Sequence, residues 1–138
     1  MINHDYLVVS DGGSRGNGKG GANEGYGSYK IEARDGRQQI VRLDLGTATN
    51  NEAEYRILIA ALKDLLGRIR RTGKRPADYS LLVQTDAQLL VGQLTQGWRV
   101  KAGNLRPLVD EADGLIQAFG RCDLVKVPRD EIVRVLGH

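Results

Sequence analysis

Asn51-Glu52-Ala53-Glu54-Tyr55-Arg56-Ile57-Leu58-Ile59-Ala60-Ala61-Leu62-Lys63-Asp64-Leu65 is the stretch on which the fold turns. Ile57, Leu58, Ala61, Leu62 and Leu65 recur at helical spacing, so a helix from 51 to about 70 presents one apolar stripe to a core. Arg68, Arg70 and Arg71, just before Gly73, suit its C-terminus, where cations meet the negative end of the helix dipole. Upstream the chain reads as β structure. Residues 6–10 form a strand, and a polar, glycine-rich loop follows from 12 to about 24. Residues 25–33 and 38–45 form a hairpin around Arg34-Asp35-Gly36-Arg37, in which Asp-Gly is a strong turn signal. Downstream, strand and helix alternate: a strand at 79–85, a short helix at 87–95, a helix marked by Leu105, Leu108, Val109, Ala112, Leu115, Ile116 and Phe119, and a last strand at 123–127 stopped by Pro128. The order β-β-β-α-β-α-α-β predicts an α/β domain on a mixed five-stranded sheet, an antiparallel meander first and parallel strands added by helical crossovers.

Composition bounds the rest. A chain of 138 residues, 41% hydrophobic and 27% charged, suits one globular domain with one core, and no repeat, linker or low-complexity tail interrupts it. Its net charge of +3 and pI near 9.2 suit a polyanionic partner. The single cysteine, Cys122, excludes an intramolecular disulfide; its apolar-leaning setting reads as a buried structural thiol, and no Cys/His set for zinc exists. With no leader, no apolar run near membrane-spanning length and no lipidation signal, the chain is expected to be soluble, cytoplasmic and monomeric, with no membrane partner.

Three carboxylates stand where a fold alone has little use for them. Asp11 closes the run Tyr6-Leu7-Val8-Val9, and Asp86 closes Leu81-Leu82-Val83, which puts both acids at the carboxyl edge of a sheet, the usual place for chemistry in open α/β folds. Glu54 lies on the apolar stripe of the long helix, where an acid needs a partner. If the three converge, their repulsion calls for a divalent cation. Each has a structural alternative: Asp11 starts a turn, Asp86 caps the next helix, and Glu54 stands three residues from Asn51 at capping-box spacing. For Glu52 the structural role is the better account, because Thr49-Asn50-Asn51-Glu52 is a capping box and Glu52 shares a face with Arg56 and Lys63. The glycine loop is no dinucleotide fingerprint, since β structure rather than a helix follows it. The cluster Arg68, Arg70, Arg71, Lys74, Arg75 reads as a solvated helix end, and His4 carries no signal.

Asp11-Gly12-Gly13-Ser14-Arg15-Gly16-Asn17, the hairpin, Thr49-Asn50-Asn51-Glu52-Ala53-Glu54 and Thr85-Asp86-Ala87-Gln88, in this order, resemble type 1 ribonuclease H over nearly the whole chain. The segment 97–108 is similar to the shorter archaeal-type members that lack a basic protrusion. The resemblance implies a ribonuclease H-like fold and an endonuclease that cuts the RNA strand of RNA/DNA hybrids by a two-metal route, leaving 5′-phosphate and 3′-hydroxyl ends. It implies Asp11, Glu54 and Asp86 as catalytic ligands of two Mg²⁺ ions, whose demand for oxygen suits carboxylates, with Mn²⁺ as a substitute where an imidazole joins the set. It further implies that Asn17, Asn51 and Gln88, with backbone groups near Gly12 and Gly13, read 2′-hydroxyls, and that Thr49 and Asn50 contact a DNA phosphate. Trp98 either packs on DNA sugars or covers the core.

The chain departs from the family at its end. A fourth carboxylate is usual in a helix after the last strand, within N-x-x-A-D, and the sequence from Pro128 to His138 has no such pattern. Either the acid lies beyond this sequence or His138 takes the fourth catalytic and metal-binding place, through its imidazole or a terminal carboxylate. Asp130 and Glu131 remain candidates, although they stand where a short terminal turn, packed by Ile132, Val133, Val135 and Leu136, would begin. Two other functions fit the same fold: a catalytically weak nucleic-acid-binding module, and a DNA nuclease such as a junction resolvase.

Overall fold

The computed structural model describes residues 3–16 and 23–137. Strands β1 (Tyr6–Arg15), β2 (Glu24–Ala33) and β3 (Gln38–Thr47) form the expected antiparallel meander. Asp35-Gly36 makes the turn between β2 and β3, with Gly36 at φ +95°, a conformation that a side chain would strain. Strands β4 (Ser80–Thr85) and β5 (Arg121–Lys126) add in parallel, giving the order β3-β2-β1-β4-β5. The helices are α1 (Asn50–Arg71), α2 (Gln88–Thr95), α3 (Arg106–Ile116) and α4 (Arg129–Leu136), and a short 3₁₀ turn (Pro76–Asp78) leads into β4. This is the mixed five-stranded architecture expected of the sequence, an antiparallel meander with parallel strands added. The connection between α2 and α3 spans only residues 96–105, which leaves no room for a protruding helix.

Period-two alternation along β1 divides the core between two faces. Val8 faces α1 and joins Leu58, Leu62, Leu65, Leu81 and Val83, all at or near zero exposure, with α3 packed along α1. Leu7 and Val9 face the other way and pack on Ile132 and Leu136 of α4. Burying each of these two α4 side chains contributes about 1.5–3 kcal/mol, so α4 is a true covering helix.

Two expectations are corrected. The terminal segment forms an eight-residue helix and not a short turn, because Pro128 sets its N-cap and Ile132 and Leu136, four apart, share one buried face. The loop expected from residue 12 instead begins as strand: Gly12 pairs with Gly27, Gly13 with Tyr26, and β1 continues to Arg15. Glycine weakens a lone strand but here serves a close approach. A Cβ on Gly12 would lie 2.6 Å from the Ala53 carbonyl, and one on Gly27 would lie 2.8 Å from Ile57 Cγ1. This glycine pair is the trough in which the first turns of α1 lie.

Candidate active site

The parallel register pairs Val9 with Gln84, so two residues further on Asp11 and Asp86 stand level at the carboxyl edge of neighbouring strands. Asp11 shares the α4 face with Leu7 and Val9 and is 5% exposed, deep burial for an acid. Glu54 arrives from the opposite face. Because Gly12 has no side chain, the backbone of Ala53 and Glu54 rests against β1. The end of β1 is tied to the same helical turn, since the Ser14 N–H donates to Asn50 Oδ1 at 2.8 Å.

The three acids feel one another. Burial first, then repulsion from Asp86 and Asp11, pushes the Glu54 carboxyl up from its ordinary 4.5 to about 7, against the opposing pull of Arg129. Arg129, the first residue of α4, places Nη1 between the two strand acids and donates to Asp11 Oδ1 at 2.6 Å and Asp86 Oδ2 at 3.3 Å. The capping alternatives for the acids fail. The N-cap of α2 is Ala87, without a side-chain cap, and the capping box of α1 is made by Thr49 and Glu52. Asp11 lies within a strand and not at a turn.

Glu52 does what its spacing predicts. The Thr49 N–H donates to Glu52 Oε1 at 2.8 Å, and the Glu52 N–H donates to Thr49 Oγ1 at 3.1 Å. It does more as well, because its carboxylate also takes a hydrogen bond from the Asn104 side chain, which ties the 96–105 connection to the start of α1. Tyr55 Oη donates to Gln93 Oε1 at 2.6 Å and locks α1 to α2 inside the core. Gly12, Gly13, Thr49, Asn50 and Asn51 therefore gather where β1 meets α1, and Gln88 opens α2 two residues after Asp86. Trp98 is 40% exposed and lies over Gly92, where a Cβ would meet the indole at 2.1 Å, so it covers α2 and presents its outer face to solvent.

Asn17 and His138 lie outside the described residues. Asp130 and Glu131 are exposed in the first turn of α4, beside Arg129. At the other end of this helix, Arg42 of β3 donates to the Leu136 carbonyl at 2.8 Å, and Gly137 ends the helix at φ +81°. Among the described residues no group of three or more His, Cys, Asp or Glu side chains is arranged to hold a metal ion. The donor chemistry nonetheless fits a hard cation: the converging groups are all carboxylates, and one guanidinium is the cation that reaches Asp11 and Asp86 among the described residues.

Sequence reasoning missed Arg129. The signal was there: a cation at the first position of a helix opposes the helix dipole and needs acids to offset it. His4, also passed over, is buried with Nε2 2.7 Å from Asp123 Oδ2 at the other end of the sheet. Cys122 is half-buried, and burial followed by the nearby Asp123 pushes its thiol up to about 12, as an inert structural cysteine requires. Arg68 pairs with Asp64 at 2.8 Å, in keeping with an ordinary helix end.

Comparison with known proteins places the chain. The family described as reverse transcriptase-like matches residues 31–135. The bifunctional protein Rv2228c of Mycobacterium tuberculosis is 36% identical over 129 residues, 89% of this chain, but the chain spans only 31% of that relative's length. The solved N-terminal RNase H domain of Rv2228c superposes with a TM-score of 0.77 at 30% identity, covering 94% of this chain and 86% of that one. RNase H1 of the archaeon Halobacterium salinarum gives 0.78 at 28% identity, covering 94% and 89%. LC11-RNase H1, solved in complex with an RNA/DNA hybrid, gives 0.78 at 25% identity with the same coverage. No helix among the described residues is long and apolar enough to cross a membrane.

Proposed function

The chain belongs to the reverse transcriptase-like family and has the fold of type 1 RNase H, and from that premise we propose that it cleaves the RNA strand of RNA/DNA hybrids. The observation that carries this reading is the meeting of Asp11 from β1, Asp86 from just after β4 and Glu54 from α1, with the Glu54 carboxyl pushed up to about 7 by burial first and then by Asp86 and Asp11. The hybrid bound to LC11-RNase H1 supports the substrate class.

In this reading Asp11, Glu54 and Asp86 hold two Mg²⁺ ions, with Mn²⁺ able to substitute. Bound divalent cations would supply an activated water and offset the charge that develops on the scissile phosphate and its leaving oxygen, giving 5′-phosphate and 3′-hydroxyl ends. The residues do the rest. Asn51 and Gln88, exposed at the starts of α1 and α2, offer amides to 2′-hydroxyls across a shallow minor groove, with Gly12 and Gly13 admitting the RNA backbone and Asn17 joining them. Thr49 and Asn50 take a DNA-strand phosphate at the N-terminus of α1, whose dipole favours an anion. Trp98 gives the DNA sugars an apolar surface. For the fourth ligand the candidates are His138, Asp130 and Glu131, and the last two adjoin Arg129 in the first turn of α4.

The test is cleavage of an RNA/DNA hybrid in Mg²⁺ beside duplex DNA and duplex RNA. Hybrid alone should be cut, and Asp11→Asn, Glu54→Gln and Asp86→Asn should each lower the rate at least about 100-fold while hybrid binding survives. Cutting of duplex DNA instead would point to a resolvase-like nuclease. The cation already lodged at Asp11 and Asp86 favours a second reading, a hybrid-binding module that cuts weakly or not at all, and binding without cleavage in either metal would establish it.

A further inference from the structure

We propose that Arg129 is the built-in counter-cation of the carboxylate site, and that divalent metal loads by exchange with its guanidinium. The inference rests on the metal-dependent reading above and adds to it a competitor carried by the chain itself. One atom, Nη1, contacts both Asp11 and Asp86, so the positive charge lies between the acids rather than beside one of them. That is where a bridging cation belongs. The contact also gives the 5%-exposed Asp11 a cationic partner, which offsets part of the cost of burying its charge.

Two features make the guanidinium exchangeable. The Arg129 side chain is 54% exposed, against 5% for Asp11 and 20% for Asp86, so it has solvent to move into while the acids stay fixed by their strands. Its single charge is also too small, because one guanidinium faces three carboxyl groups and touches only two of them. The guanidinium thus holds the acids together well enough to fold, and incompletely enough to yield.

The experiment titrates MgCl₂ and MnCl₂ calorimetrically into the full chain and into Arg129→Ala and Arg129→Lys at pH 8, with melting followed in EDTA and in excess Mg²⁺. Removing the competitor should tighten Mg²⁺ binding about five- to tenfold in Arg129→Ala, the factor set by a partly exposed ion pair, and less in Arg129→Lys. The variant should melt below the parent in EDTA, and the gap should close as Mg²⁺ is added. In the parent itself, the Arg129 side-chain ¹⁵N–¹H signals should move from a hydrogen-bonded to a solvent-exposed position as Mg²⁺ saturates, a readout that stands even if Arg129→Ala fails to fold. Equal metal affinities, a constant gap in melting temperature and unmoved guanidinium signals would make Arg129 a permanent structural ion pair and overturn the exchange while leaving the metal reading intact. If neither parent nor variant binds either metal, the metal-dependent function fails, and the exchange fails with it.

Discussion

Two helices begin at the same strand end, α1 on one face of β1 and α4 on the other, and they hold the site in different ways. The start of α1 is fixed by backbone: Gly12 admits the Ala53 carbonyl, Ser14 bonds to Asn50, and a capping box closes the first turn. The start of α4 is held by one long, half-exposed side chain reaching into the acids. Geometry that must not vary rests on atoms without rotamers, and charge that must change with ligand rests on an arginine with several.

The comparison breaks most directly at Gly12. Gly12→Ala would place a Cβ 2.6 Å from Ala53 C and O and 2.8 Å from Glu54 N, all backbone atoms that cannot rotate aside. Either β1 or α1 must shift, at a cost of about 1–3 kcal/mol. A shift near 1 Å at Glu54 should also lower hybrid cleavage about 100-fold. On the other face, Ile132→Val should cost about 0.5–1.5 kcal/mol and leave cleavage by the folded protein unchanged. Urea unfolding and initial rates on the two variants check this; comparable loss of rate in both would remove the distinction between the faces.

This difference also governs what could be read from sequence. The α1 stripe, the Asp35-Gly36 hairpin and the end of β4 just before Asp86 were legible because period and turn chemistry are local. The strand character of Gly12 to Arg15 was not, since glycines signal flexibility until the helix they admit is in place. Arg129 was hidden for a related reason: an arginine after a strand reads as solvated, and its partners are 118 and 43 residues away. The terminal helix was under-read because Pro128 looks like a stop, although it serves as the N-cap.

A smaller effect follows from the burial of Glu54 beside Asp86 and Asp11, and it sharpens the contrast between positioning and neutralising. The Glu54 carboxyl is raised from 4.5 to about 7, so the folded, metal-free chain binds a proton there more tightly than the unfolded chain does. The stability this contributes is fully present below about pH 4.5 and is lost as pH rises through about 7. Glu54→Gln, which cannot ionise, should therefore be more stable than the parent at pH 8 in EDTA, by on the order of 1–3 kcal/mol, even as its hybrid cleavage should fall. Thermal melts from pH 5 to 8 test this, and a variant less stable than the parent at pH 8 would show that burial and the neighbouring acids do not disfavour the Glu54 charge.

The smallest effect belongs to Glu52, two residues earlier on the same helix, and its sign is opposite. The Thr49 N–H, followed by weaker help from the Asn104 side chain, holds the Glu52 carboxyl below its ordinary value even against desolvation. Its contribution is present above about pH 4.5 and is lost as pH falls through the lowered folded value. Glu52→Gln keeps an amide oxygen for the Thr49 N–H but gives up the charge, so it should cost at most about 1 kcal/mol at pH 7 and nothing once the parent's carboxyl is protonated. Cleavage should persist, because Glu52 faces the cap and the 96–105 connection rather than the acids. Paired melts of Glu52→Gln and Glu54→Gln in EDTA at pH 8 should thus move in opposite directions from the parent. If both fall together, the start of α1 is simply intolerant of change, and its two glutamates are not divided between structure and chemistry.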